Sequence, residues 1–113
     1  MTTTSPAVIH PYFDASNRND IDSLVACFAL DATVTDESAT YRGTDEIRRW
    51  AIDVRKKYEF QAQVINSRQQ PGRTIVTARV SGNFPGSPVN LDFQFSLDAE
   101  KIHSLSIFPS ADS

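Results

Sequence analysis

The apolar positions of the chain change period once. Up to about residue 58 they recur three and four apart, the spacing of one helix face, and from Glu59 onward they alternate, the spacing of half-buried strands. Ser5-Pro6 reads as an N-cap with proline at the first helical position. It opens a helix through about Asn17 with Val8, Ile9, Tyr12 and Phe13 on one face, which Pro11 either kinks or delays. Asn17-Arg18-Asn19-Asp20 breaks the pattern, and Asp20 caps a short second helix in which Ile21, Leu24, Val25 and Phe28 keep helical spacing. Ala32-Thr33-Val34-Thr35, a turn at Asp36-Glu37-Ser38 and Thr40-Tyr41-Arg42-Gly43 predict a small hairpin. Thr44 is placed to cap a third helix. Asp45 and Glu46 lie in its positive first turn, and Ile47, Trp50, Ala51, Val54 and Tyr58 form its apolar stripe.

Beyond that point, runs near 59–70, 73–82, 89–97 and 101–108 are separated by Pro71-Gly72, Pro85-Gly86-Ser87-Pro88 and Asp98-Ala99-Glu100. They read as antiparallel strands. In the clearest, Val89, Leu91, Phe93, Phe95 and Leu97 face one way, and Asn90, Asp92, Gln94 and Ser96 the other. Three N-terminal helices followed by a curved antiparallel sheet packed on them is an α+β layout. With 113 residues and neither repeat nor linker, a single domain over residues 1–113 is expected.

A net charge of −3 and a pI near 5.2 argue against a nucleic-acid or anionic-membrane surface, each of which needs a positive footprint. The first residues carry neither a basic region nor a signal-length apolar run, and no segment reaches the length of a membrane span, so a soluble, cytoplasmic protein is expected. Cys27, the only cysteine, sits in an apolar run and reads as a buried, inert thiol.

Several chemistries fall away on spacing alone. His10 and His103 make no metal-ligand pattern and read as surface residues. The glycines build no phosphate loop, and no serine sits in a nucleophile elbow. Neither metal nor cofactor is expected. Arg48, Arg49, Arg55, Lys56 and Lys57 interleave with Glu46, Asp53 and Glu59 at salt-bridge spacing, as on a solvated helix face. What remains is a heavy aromatic load. A cone of curved sheet over helices is hard to fill, and its cavity suits a small apolar or weakly polar ligand. The candidate wall residues are Tyr12, Phe13, Phe28, Trp50, Phe84, Phe93, Phe95, Leu105 and Ile107.

Four segments occur in an order that carries a resemblance: Tyr12-Phe13-Asp14-Ala15, Asn19-Asp20-Ile21-Asp22, Phe28-Ala29-Leu30-Asp31-Ala32-Thr33-Val34-Thr35-Asp36 and Tyr41-Arg42-Gly43-Thr44-Asp45-Glu46-Ile47. Together they resemble the N-terminal half of the ketosteroid isomerase and SnoaL-like branch of the nuclear-transport-factor-2-like superfamily. In those isomerases a catalytic tyrosine on the first helix precedes, by 24 residues, a catalytic base after an A-T-V-x-D strand, and Tyr12 and Asp36 keep that separation. The resemblance implies a cone-shaped fold around an apolar pocket. It implies Asp36 as the base that takes a proton from carbon beside a carbonyl, and Tyr12 as donor to the enolate oxygen. It also implies a homodimer formed through the outer sheet face.

One position departs from the isomerases. Where they carry a protonated aspartic acid on a late strand, this chain has Phe93, with Asp92 adjacent but pointing to the other face. The expected function is therefore small-molecule binding with acid/base catalysis of an isomerase, cyclase or dehydratase kind. The alternative is a non-catalytic ligand-binding or dimerisation module, in which Asp36 is a turn former and Tyr12 a structural residue.

Overall fold

The computed structural model describes residues 8–36, 38–57, 59–98 and 100–110, with Asp98 described by its backbone alone. Helix α1 spans Ile9–Asn17. Pro11 falls in its first turn, where backbone N–H groups have no intrahelical acceptor, so proline fits there. The Ser5-Pro6 start lies outside the described residues. Helix α2, Ile21–Ala26, is capped by Asp20, whose carboxylate accepts from the Ser23 N–H at 3.2 Å and the Ser23 hydroxyl at 2.8 Å. Phe28, counted above as part of that helix, instead opens strand β1, Phe28–Asp36. Its β-branched second half pairs with the short strand β2, Ala39–Arg42.

Helix α3, Gly43–Lys57, starts one residue before the expected Thr44 cap. Gly43 takes φ +82°, a conformation that glycine adopts without penalty, and Glu46 Oε1 accepts from the Arg42 N–H at 2.8 Å. Acidic residues in the first turn and Arg55, Lys56 and Lys57 in the last complement the helix dipole. Ile47, Trp50 and Ala51 are buried and Val54 is half-buried; Tyr58 lies outside the described residues.

Strands β3 (Phe60–Gln70), β4 (Arg73–Gly82), β5 (Val89–Asp98) and β6 (Lys101–Pro109) complete a six-stranded sheet in the order β2-β1-β6-β5-β4-β3. The sheet is mixed, not purely antiparallel as expected. β1 and β6 run parallel, because α3 and four strands intervene between them and carry the chain back to the same end. Register breaks at Val64/Asn66, Ser96/Leu97 and Phe28/Thr33 bend the strands, and the resulting curved sheet wraps the helices on its concave face.

Register fixes which side chains meet on that face. Asp36, Ile107, Phe93 and Val76 are successive cross-strand partners on β1, β6, β5 and β4, so they form one row and point the same way. Asp92 lies on the opposite face, where it accepts from the Thr77 hydroxyl at 2.6 Å and faces Arg68 at 3.7 Å.

Helix α1 lays Tyr12 and Phe13 on the sheet. The Tyr12 ring meets Phe13, Phe28, Phe93 and Phe95 edge-on with centroids 5.1–6.5 Å apart, and Phe13 meets Phe93 at 5.0 Å. Each such pair adds about 0.5–1.5 kcal/mol to what burial contributes. The end of α1 is tied to β3 by a side chain: Asn17 donates to the Ala62 carbonyl at 2.9 Å and accepts from the Ala62 N–H at 2.8 Å. At the same end of the β3–β4 pair, Gly82 admits no side chain, since a Cβ would strike the Glu59 carbonyl oxygen.

Phe95 has no exposed surface and sits where α1 meets the sheet. Phe95→Ala is expected to cost about 3–5 kcal/mol, read by chemical denaturation. A loss below about 1 kcal/mol would show that α1 does not depend on this contact.

Candidate functional site

Between the helices and the concave face lies a cavity of about 520 Å³. Phe13, Trp50, Phe84, Phe93 and Ile107 border it, as do Tyr12 and Asp36. Phe28, Phe95 and Leu105 do not. Each is packed into the core, with Phe95 and Leu105 essentially inaccessible, and the Tyr12 ring of α1 covers Phe28 and Phe95. The alternation showed that they face inward but not how deep the helix presses.

Asp36 ends β1 at the cavity wall and is half-buried. Its Oδ2 accepts a hydrogen bond from the Trp50 indole at 3.0 Å. Trp50 reaches it from α3, so the helix that walls the cavity also orients the carboxylate. A hydrogen bond to an ionised acceptor is worth about 1.5–3 kcal/mol, more than a neutral one. This partnership escaped the sequence reading, which had placed both residues at the cavity separately. Among the described residues bordering the cavity, Asp36 is the only carboxylate.

Tyr12 is 3% exposed, at the meeting point of α1, β1 and β5. Burial, then the nearby Asp36 charge, then the Cys27 thiol push its phenol well above the ordinary tyrosine range. The hydroxyl thus stays protonated and can only act as a neutral donor or acceptor at working pH. Cys27 is buried as expected, its thiol donating to the Ser23 carbonyl at 3.4 Å, and burial raises its pKa. His10 and His103 are exposed. Among the described residues no group of three or more His, Cys, Asp or Glu side chains could hold a metal ion, and no helix is long and apolar enough to cross a membrane.

The basic residues of α3 need a correction. Arg48 pairs with Asp22 at 2.6 Å in solvent, but Arg55 is not part of a solvated face. It is half-buried and borders the cavity, donating to the Phe60 carbonyl at 2.8 Å and to the Ser16 carbonyl, with its guanidinium 4.1 Å from the centre of the Phe60 ring. Its acceptors are backbone carbonyls far away in sequence or past the helix end, which a charge pattern does not reveal.

The SnoaL-like domain pattern matches residues 9–101, nearly the entire described chain. The chain belongs to the SnoaL-like family. Solved structures of the same fold are similar to it. Protein SMa1630 of Sinorhizobium meliloti, named as a candidate polyketide cyclase, is 38% identical, with a TM-score of 0.89 over 92% of this chain and 95% of that one. A Catenulispora acidiphila protein with a ketosteroid isomerase-like fold, solved with trimethylamine, is 21% identical, with a TM-score of 0.83 over 97% of this chain and 90% of its own. TerC, co-crystallised with polyporic acid, is 11% identical, with a TM-score of 0.82 over 96% of this chain and 94% of its own; these last two likenesses concern the fold. Among curated proteins none matches the chain in sequence. In fold, this SnoaL-like chain resembles ketosteroid isomerase-like and nuclear-transport-factor-2-like proteins.

The buried phenol has a consequence for stability. Its folded-state pKa lies above the unfolded value, so its contribution is complete below about pH 10 and is lost as pH rises from there toward the folded-state value. Tyr12→Phe removes this dependence and is expected to flatten the alkaline arm of a Tm-versus-pH profile. Equal slopes for both proteins between about pH 9 and 11 would contradict the burial of the hydroxyl.

Proposed function

We propose that the protein is an acid/base enzyme acting on a small, mostly apolar carbonyl compound, with its own side chains carrying the chemistry in the cytoplasm. The observation that supports this is the placing of one carboxylate, Asp36, and one neutral phenol, Tyr12, on the same largely apolar cavity, close enough for the Asp36 charge to be felt at the phenol. In this reading Asp36 takes a proton from the carbon beside the carbonyl. The C–H electron pair moves into the enolate, and Tyr12 donates a hydrogen bond to the oxygen where negative charge collects. The resulting carboxylic acid then returns the proton to a second carbon, which isomerises the compound without a co-reactant. Trp50 holds the carboxylate in position. The solved relatives support the substrate class, since one is named for polyketide cyclisation and another was crystallised with polyporic acid.

A non-catalytic ligand-binding module is the second reading. It is favoured by Phe93, which stands in the same cross-strand row as Asp36 and supplies an aromatic edge where a second acid would complete an oxyanion site. The two readings separate on hydrogen–deuterium exchange at the α-carbon of bound cyclic ketones, followed by proton NMR in D2O. The enzyme reading expects exchange to fall at least about 100-fold in Asp36→Asn and about 10- to 100-fold in Tyr12→Phe. Exchange that is absent in the wild type, or the same in both variants, while the ketones still bind leaves the module.

We also propose that the molecule pairs with a second copy through its outer sheet face. Asn90, Asp92, Gln94 and Ser96 lie on that face; Asp92 is buried there on Thr77, while Asn90, Gln94, Ser96 and Arg68 are partly exposed and give the face its polar character. Light scattering on a size-exclusion column is expected to give twice the 12.6 kDa chain mass, and a concentration-independent monomer would refute the pairing.

A further inference from the structure

Arg55 stands where two hollows meet. One is the apolar cavity. The other is a polar cleft of about 700 Å³, and Asn19, Arg55 and Phe60 border both. Lys56, Glu59, Gln61 and Ser81 line the rest of the cleft, with Gly82. Its charged groups are thus two cations and one carboxylate, in a protein whose net charge is −3.

The state of Arg55 is unusual for an arginine in a helix's last turn. Among the described residues no carboxylate lies within ion-pair distance of it, and its partners are the neutral carbonyls of Ser16 and Phe60 and the Phe60 ring. These take two of the five N–H groups of a guanidinium, leaving donors for a further acceptor. Burial pushes its pKa down, and Glu59 offsets this only in part. A partly dehydrated cation with spare donors at the junction of an apolar and a polar hollow is arranged to meet an anion arriving from the apolar side.

Helix α3 carries both anchors, Trp50, which is bound to Asp36, and Arg55, five residues further on. The cavity wall is otherwise largely apolar, with Phe13, Phe84 and Phe93 in it, which suits a ring system. We propose that the cavity's ligand is a carboxylate-bearing aromatic or polycyclic ketone, its carbonyl end at Asp36 and Tyr12 and its carboxylate held by Arg55, with Lys56 adding attraction from the cleft. This rests on the reading of the cavity as the ligand site given above.

The test compares two probes, 2-acetylnaphthalene and 6-acetyl-2-naphthoic acid, by titration calorimetry or quenching of the single tryptophan, Trp50. The ratio of the two affinities is the readout, so a loss of folded protein in a variant cancels. The acid is expected to bind about 10- to 100-fold more tightly in the wild type. Arg55→Gln should bring the ratio close to one, Lys56→Gln should lower it about two- to fivefold, and raising salt from 0.05 to 0.5 M should lower it further. A wild-type ratio near one with the neutral ketone bound overturns the proposal and leaves the cavity reading standing. So does a ratio that Arg55→Gln does not change. If Arg55→Gln does not fold, a ratio indifferent both to Lys56→Gln and to salt is the overturning result. Failure of both probes to bind overturns the cavity reading and this proposal together, whereas tight acid binding without α-proton exchange overturns only the enzymatic reading.

Discussion

The structure depends on the seating of helix α1 in the curve of the sheet. Tyr12 and Phe13 press edge-on against Phe93 and Phe95, and this contact decides where the interior is filled and where it stays hollow. Under α1 the packing is dense, with Phe95 shut away from solvent, as Leu105 and Ile102 are on the neighbouring strand. Beyond it the sheet curves away faster than the helices can follow, and α3 closes the gap only along its Trp50, Ala51 and Val54 side. The same residue type on the same strand face becomes core at Phe95 and wall at Phe93, although both touch α1.

Polar groups inside this frame are few, and they connect separate elements. Asp36 ends the first strand and takes its hydrogen bond from α3; Arg55 leaves α3 and reaches the end of α1 and the start of β3. Helix α3 therefore serves both groups at the cavity, orienting the Asp36 carboxylate through Trp50 and carrying Arg55 itself.

Much of this was legible in the chain because the relevant interactions are local. Asp20 caps α2 through Ser23, three residues on, and the alternation of β5 follows from neighbours two apart. The four late strands begin and end within a residue or two of the positions that the turns mark. What the chain concealed is long-range. The parallel pairing of β1 with β6 joins segments about 70 residues apart and leaves no trace in either strand's pattern. Phe28 looked helical because helical spacing and a strand start share its position. Phe28, Phe95 and Leu105 looked like wall residues because inward facing was readable and depth was not. Arg55 looked solvated because its acceptors are main-chain carbonyls, which every residue possesses and no sequence pattern marks.

Asn17 has the same kind of long reach, and it bears on how the molecule stays apart from its neighbours. Strand β3 is an edge of the sheet, and the Asn17 amide occupies the outward N–H and C=O of Ala62 as the backbone of a seventh strand would. That end of the edge is closed to intruding chains. Further along, Val64 and Ile65 are exposed around the register break, whose kink makes the strand a poor template for another to add to. Two different devices thus guard one edge against aggregation, a borrowed side-chain amide at its start and a bend in its middle.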